Sequence, residues 1–318
     1  MKQSEACRSC SPLDMADHVC RCNSPELWSR ARSICPDCTG RLPVRRLPSG
    51  LLVFGEATEV CSGLENARRE PSVQWGMFVG AEWGSGHKVL VQRFPERLDS
   101  YYRRTLRFCK AVQHAMSPGW ERCSSPAPIS YLMWRFEAPS CTISEAIMGR
   151  AKSVDAFGFM YRCLDLLQAF AHWRRPALAT NATAASGSSA IPALQAFWPG
   201  NIAAPRHGCS ALLVEAHLVD VSLWSSSLQV SNPSALSFFP PEARSRRVAL
   251  GSKCDVFMIA ATTYCLVFGG APPRGPGDVG SSRKLGRKAQ YLLRAMLESS
   301  PAMRASVEDA QQIALELI

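Results

Sequence analysis

The sequence predicts an α+β fold in two lobes, a small β-rich lobe followed by a helical one, behind a cysteine-rich N-terminal extension. Three observations predict it. Short runs with strand character recur between residues 51 and 94, helical periodicity takes over beyond Ala138-Pro139-Ser140, and Asp255–Phe268 is almost wholly apolar, as a buried helix must be. With 318 residues, 47% of them hydrophobic and 19% charged, the chain can bury a large core. No run of about 18 uncharged apolar residues occurs and no apolar signal core follows Met1, so neither a membrane span nor secretion is expected. The net charge of +10 is scattered through pairs such as Arg103-Arg104, Arg174-Arg175 and Arg246-Arg247, the pattern of a solvated basic surface; nucleic acid as a partner stays open. Of the 14 cysteines, Cys163 and Cys265 sit in apolar helical patterns, where a thiol acts as a small hydrophobe, so an intracellular, reducing compartment is expected.

Residues 1–48 form the cysteine-rich leader. Two C-x-x-C pairs, Cys7/Cys10 and Cys35/Cys38, can supply four thiolates to a tetrahedral structural zinc, with Pro36 and Gly40 shaping the second knuckle. Free thiols in a tail are the alternative, and His18, Cys20 and Cys22 leave the ligand choice open.

Residues 49–137 carry the strand patterns Leu51–Phe54, Gly76–Gly80, Lys88–Phe94 and Ile129–Phe136. Between the last two, Tyr101–Met116 repeats apolar residues at helical spacing before the stop signal Ser117-Pro118-Gly119. Residues 138–318 are expected to be mainly helical, with helices over Ile143–Arg150 and Val154–His172, then a flexible insertion at 176–193 that lacks charge and bulk. Two short strands follow, around Asn201–Ala204 and from Leu212 to Asp220. Helices over Asp255–Phe268, Ala289–Leu297 and Val307–Leu317 complete the chain.

This order of elements, together with five motifs, resembles a protein kinase. Trp198-Pro199-Gly200-Asn201 resembles the end of the catalytic loop, and Leu218-Val219-Asp220-Val221-Ser222 the D-F-G segment. Phe239-Pro240-Pro241-Glu242 resembles A-P-E, and Lys253-Cys254-Asp255-Val256-Phe257 the opening of the central helix. The segment from Leu293 to Arg304 resembles the closing segment whose arginine pairs with the A-P-E glutamate. The resemblance implies structural roles for Glu242, Asp255 and Arg304.

Kinase phosphotransfer uses a lysine on the phosphates, a carboxylate beside the acceptor hydroxyl, and an Asp and an Asn on magnesium. The catalytic-loop pattern H-x-D-x-K-P-x-N places Ala196 at the carboxylate position and Trp198 at the lysine. The phosphate-anchoring strand places Val91 at the other lysine, with Lys88 on the opposite face and Arg93 on the same one. Gly55 stands alone where a glycine-rich loop would cradle phosphate. Asn201 and Asp220 keep the magnesium positions, although both residue types are also ordinary at turns. The expectation is a pseudokinase with no catalytic cofactor and no use of ATP.

The block from Lys253 to Gly269, above all Ala260–Gly269, is similar to the central helix of the Bub family of spindle-checkpoint kinases and pseudokinases. Weaker echoes lie at Val89–Pro95 and Cys141–Ile147. With its degenerate positions the chain looks most like the Bub-related pseudokinase of the unconventional kinetoplastid kinetochore. That resemblance implies a nuclear kinetochore scaffold in chromosome segregation. It also implies other checkpoint proteins as partners, among them a WD40 propeller of the kind Bub proteins bind through regions outside this chain. A divergent active Ser/Thr kinase, of viral type, and a zinc-stabilised nucleic-acid-binding module on an inactive kinase fold are the alternatives.

Overall fold

The computed structural model describes residues 44–46, 52–56, 76–81, 88–94, 99–116, 121–123, 130–136, 140–143, 147, 155–181, 191–205, 217–218, 220–230, 233–245, 248–280 and 284–318. The first part is an antiparallel sheet of six strands: β1 (Val44–Arg46), β2 (Leu52–Glu56), β3 (Gly76–Ala81), β4 (Lys88–Phe94), β5 (Glu121–Cys123) and β6 (Ser130–Phe136). Their order across the sheet is β1-β2-β3-β4-β6-β5. Register is continuous through the centre, where Val91 faces Phe78 on one side and Met133 on the other. At Gly55 the β2–β3 register shifts, the local kink of a β-bulge. Strand β1 lies ahead of the boundary drawn at residue 49, so the sheet takes in residues the sequence reading gave to the leader.

Helix α1 (Asp99–Ala111) buries Tyr102, Thr105 and Phe108, three residues at helical spacing. Asp99 in its first turn and Lys110 in its last suit the helix dipole, and Arg103 reaches back to Asp99 at 2.5 Å. The sequence pattern ran on to Met116, but the helix stops at Ala111. Val112 and Met116 are still buried, so their periodicity reported burial rather than helix. The turn is held by His114, whose Nδ1 accepts from the Met116 N–H (3.0 Å) while Nε2 meets Asp165 Oδ2 (2.9 Å).

Helix α2 (Ala156–Asn181) packs Phe159, Met160, Cys163, Leu164, Leu167 and Phe170 into the core. It continues through Pro176 to Asn181, which corrects the expectation of a flexible insertion from residue 176. Pro176 removes one N–H donor, but the Ala177, Leu178 and Ala179 that follow are strong helix formers, and a lack of charge and bulk does not stop them from continuing the helix. The rest of that stretch, 182–190, lies outside the described residues, as do most of Ile143–Arg150 and the Leu212–Val214 strand pattern.

A second sheet joins β7 (Ser140–Thr142), β8 (Ile202–Pro205) and β9 (His217–Leu218) in that order, all antiparallel. After a short helix α3 (Pro233–Leu236), helix α4 (Ser252–Phe268) runs through the core with Val256, Phe257, Met258, Ile259, Ala260 and Ala261 all buried. At about 1.5–3 kcal/mol for each large apolar side chain removed from water, this one helix anchors the region. It ends at Gly269, whose φ of +72° suits a residue without Cβ, and the Gly269 N–H caps Cys265 O. Helices α5 (Arg287–Met296) and α6 (Val307–Leu315) close the chain, α6 being capped by Ser306, which accepts from the Asp309 N–H at 3.0 Å. Among the described residues no helix is long and apolar enough to cross a membrane.

Candidate functional site

The loop from Ile191 to Asn201 meets three separate stretches of chain. Backbone bonds tie Ala193 to Leu250 (3.1 Å) and to Ser225 (2.9 Å). Beneath it the fully buried Asp255 carboxylate, on the first turn of α4, accepts from the N–H groups of Leu194 (2.6 Å) and Gln195 (2.8 Å). Burial pushes the Asp255 carboxyl up from 3.8 to about 7, against the two backbone donors, which lower it. Asp255 therefore shapes the loop from below and is not the ordinary exposed N-cap that an isolated Asp at a helix start would be.

Gln195 adopts φ +59°, a left-handed conformation that disfavours a side chain. Its amide explains how the strain is held. Nε2 donates to Ser225 O (3.2 Å) and Ser227 O (2.8 Å), and Oε1 accepts from the Gln229 N–H (3.0 Å). One buried amide thus fastens the loop to residues 225–229. Sequence reasoning passed over Gln195, although a polar residue inside the apolar run Leu194–Phe197 was the available signal.

Ala196 is fully buried, with a methyl group at the position aligned to the proton acceptor. Trp198 folds its ring over its own turn: a Cβ added at Gly200 would stand 2.0 Å from the ring, so an alanine there would require the ring to move. Pro199, Gly200 and Asn201 form a buried 3-10 turn.

Asn201 and Asp220, the residues that the sequence pattern aligns with the magnesium positions, are brought together. The Asn201 amide is engaged at both ends by backbone. Nδ2 donates to Ala196 O and to Asp220 O, both at 2.9 Å, and Oδ1 accepts from the Asp220 N–H at 2.8 Å. Asp220 Oδ1 in turn accepts from the N–H (2.8 Å) and the hydroxyl (2.5 Å) of Ser222, a side-chain turn closed on itself. From α1, Arg104 Nη2 donates to Ser222 O at 2.5 Å, so a guanidinium stands beside this segment, and the Asp220 carboxylate is among the charges that act on it.

Below the loop, Arg304 is buried and binds Glu242 through Nη1 to Oε1 (2.6 Å) and Nη2 to Oε2 (3.0 Å). The same guanidinium donates to the carbonyls of Glu298 (2.8 Å), Lys253 (2.8 Å) and Ser299 (3.4 Å). Lys253 Nζ returns a bond to Arg304 O at 2.8 Å.

Val91 lies in β4, where Phe94 alone has a described side chain, so the facing of Lys88 and Arg93 is outside the described side chains. Cys7, Cys10, Cys35 and Cys38, with His18, Cys20 and Cys22, lie outside the described residues altogether. Among the described residues no three His, Cys, Asp or Glu side chains are grouped to hold a metal ion.

The class this geometry defines is a protein-kinase-like fold, and comparison with solved structures bears that out. A crystal structure of Rad53 (residues 1–466) in complex with AMP-PNP, a protein kinase, is similar with a TM-score of 0.53 at 13% identity. The match covers 75% of this chain and 61% of that one, so this chain spans about three-fifths of its length. No family model matches the sequence, and no curated protein matches it either.

Proposed function

We propose that this chain is a kinase-like domain without phosphotransfer activity that serves as a protein-binding scaffold. The observation that carries the reading is Ala196, a buried methyl group where a phosphoryl-transfer enzyme of this fold needs a carboxylate to orient the acceptor hydroxyl. The surroundings support it. Trp198 replaces the lysine and packs on Gly200, and Asn201 spends its amide on backbone groups. Glu242, Asp255 and Arg304 hold the loop and the segment after it in place without taking part in chemistry, so the fold outlasts the loss of catalysis.

The finer reading places a small N-terminal lobe from β1 to residue 137, a helical lobe at 138–318 and, in the leader, a structural zinc. The Bub-like block at Ala260–Gly269 favours a kinetochore scaffold in the nucleus that binds other checkpoint proteins. A second reading, a divergent active kinase, is favoured by one observation: Asn201 and Asp220 still touch.

A thermal-shift titration with Mg-ATP, paired with a radiolabel transfer assay, separates the two. A ligand that binds only the native state must raise Tm. The scaffold reading expects no shift at millimolar Mg-ATP and no transfer. Transfer of label that is lost in Asp220→Ala would overturn it.

A further inference from the structure

Three arginines converge where α1, the C-terminal half of α2 and the segment after Asp220 meet. The guanidinium carbons of Arg104 and Arg174 stand 4.6 and 4.7 Å from the Trp224 ring centre, and Arg104 also lies 4.7 Å from the ring of Tyr101. Trp224 is itself set edge-on against Phe170 (5.6 Å) and Trp173 (5.9 Å), so the indole is fixed and the guanidiniums are fixed on it. Arg107, exposed one helical turn beyond Arg104, brings the cluster to the surface.

Two features of this cluster call for an anion. Charge is the first: none of the ion pairs among the described residues involves Arg104, Arg107 or Arg174. Burial lowers the pKa of both Arg104 and Arg174, and repulsion from Arg107 lowers each further; Tyr101 and Asp220 oppose this for Arg104 alone. Unmet donors are the second. Arg104 Nε, Arg174 Nε and Trp224 Nε1 are buried and have no hydrogen-bond partner. Few buried polar groups in folded proteins lack partners, yet three N–H donors without one share this cluster.

We propose that the Arg104–Arg174–Trp224 cluster, with Arg107 at its exposed edge, is an oxyanion site that takes a phosphate group, free or as a monoester. A tetrahedral dianion offers several acceptor oxygens to donors arriving from different directions, and its two charges answer the excess of guanidinium. A single carboxylate offers two oxygens and one charge. Arginine forks suit phosphate geometry, and stacking on Trp224 holds them ready before the anion arrives. The proposal does not rest on the scaffold reading, and Arg104 links the site to the segment that carries Asp220.

The test follows the indole N–H of Trp224 in the full chain by NMR. With 8 tryptophans present, Trp224→Phe identifies the resonance. Titration with sodium phosphate at constant ionic strength is expected to move it downfield saturably, and sodium chloride is expected to leave it in place. O-phosphoserine against serine then tells a monoester from the free ion, and a response to phosphate alone assigns the site to the ion. Arg174→Gln is expected to weaken binding about tenfold or more, the loss of one charge-assisted hydrogen bond. Arg107→Gln, at an exposed position, serves if the first variant fails to fold. A resonance indifferent to phosphate, or an unchanged affinity in these variants, would overturn the proposal.

Discussion

Arg304 and Glu242 are joined by two parallel hydrogen bonds, 2.6 and 3.0 Å long, with the arginine side chain fully shielded from solvent and the glutamate side chain only 11% exposed. The pair closes the segment after Phe239 onto the start of α4 and the turn after α5. Arg304→Ala would leave a carboxylate and the carbonyls of Glu298 and Lys253 without their donor. A loss of about 3–5 kcal/mol is expected on removing one partner of a buried pair. Urea unfolding of Arg304→Ala, Glu242→Ala and the double variant checks it; additive losses would deny the pairing.

Asp255 predicts a pH dependence. Its carboxyl titrates near 7 in the folded chain, raised by burial from 3.8, so the native state holds a proton that the unfolded chain has already released. Stability should therefore fall as pH rises from about 4 to about 7, by an amount on the order of a few kcal/mol, and level off above the folded value. In Asp255→Asn this slope should disappear. The same variant should also lose about 1–3 kcal/mol at pH 5, because the amide sets an NH2 group against one of the Leu194 and Gln195 N–H donors where the neutral acid still offers an oxygen to each. Denaturant midpoints measured across that range decide both points.

Asn201→Ala separates a structural role from a vestige of metal binding. Three hydrogen bonds to buried backbone would be lost, and two of them join the turn to Asp220. Destabilisation of about 1–3 kcal/mol is expected in metal-free buffer containing EDTA. Wild-type stability in that buffer would mean that the side chain is idle without an ion.

Gly200→Ala should be destabilising because its Cβ would strike the Trp198 ring. Trp198→Ala removes the obstacle. Thermal unfolding of the two single variants and the double variant is expected to show coupling of about 1 kcal/mol or more, with Gly200→Ala nearly silent in the Trp198→Ala background. Equal losses in both backgrounds would place the strain in the backbone instead.

The sequence singled out Glu242, Asp255, Asn201 and Asp220 because each stands in a short block with a fixed offset to its neighbours. Strand β4 was legible from end to end for a similar reason, since alternation and its flanking breaks are local. The end of α1 was not. Apolar spacing records which residues are buried, and Val112 and Met116 are buried in a turn that His114 and Asp165 hold. Nor did the stretch after His172 announce that the helix runs on to Asn181, because a lack of charge and bulk removes the amphipathic signal while alanine and leucine still favour helix.

By itself the amino-acid order determined which residue types are present: a methyl group at Ala196, an indole at Trp198, a carboxylate at Asp255. Only the tertiary structure decided what surrounds them. The grip of Gln195 on Ser225, Ser227 and Gln229, and the stacking of Arg104 and Arg174 on Trp224, join residues tens of positions apart. Hydrogen bonds and ring contacts act over a few ångströms of space, whatever the separation along the chain, so they exist only once the core has folded and brought those segments together.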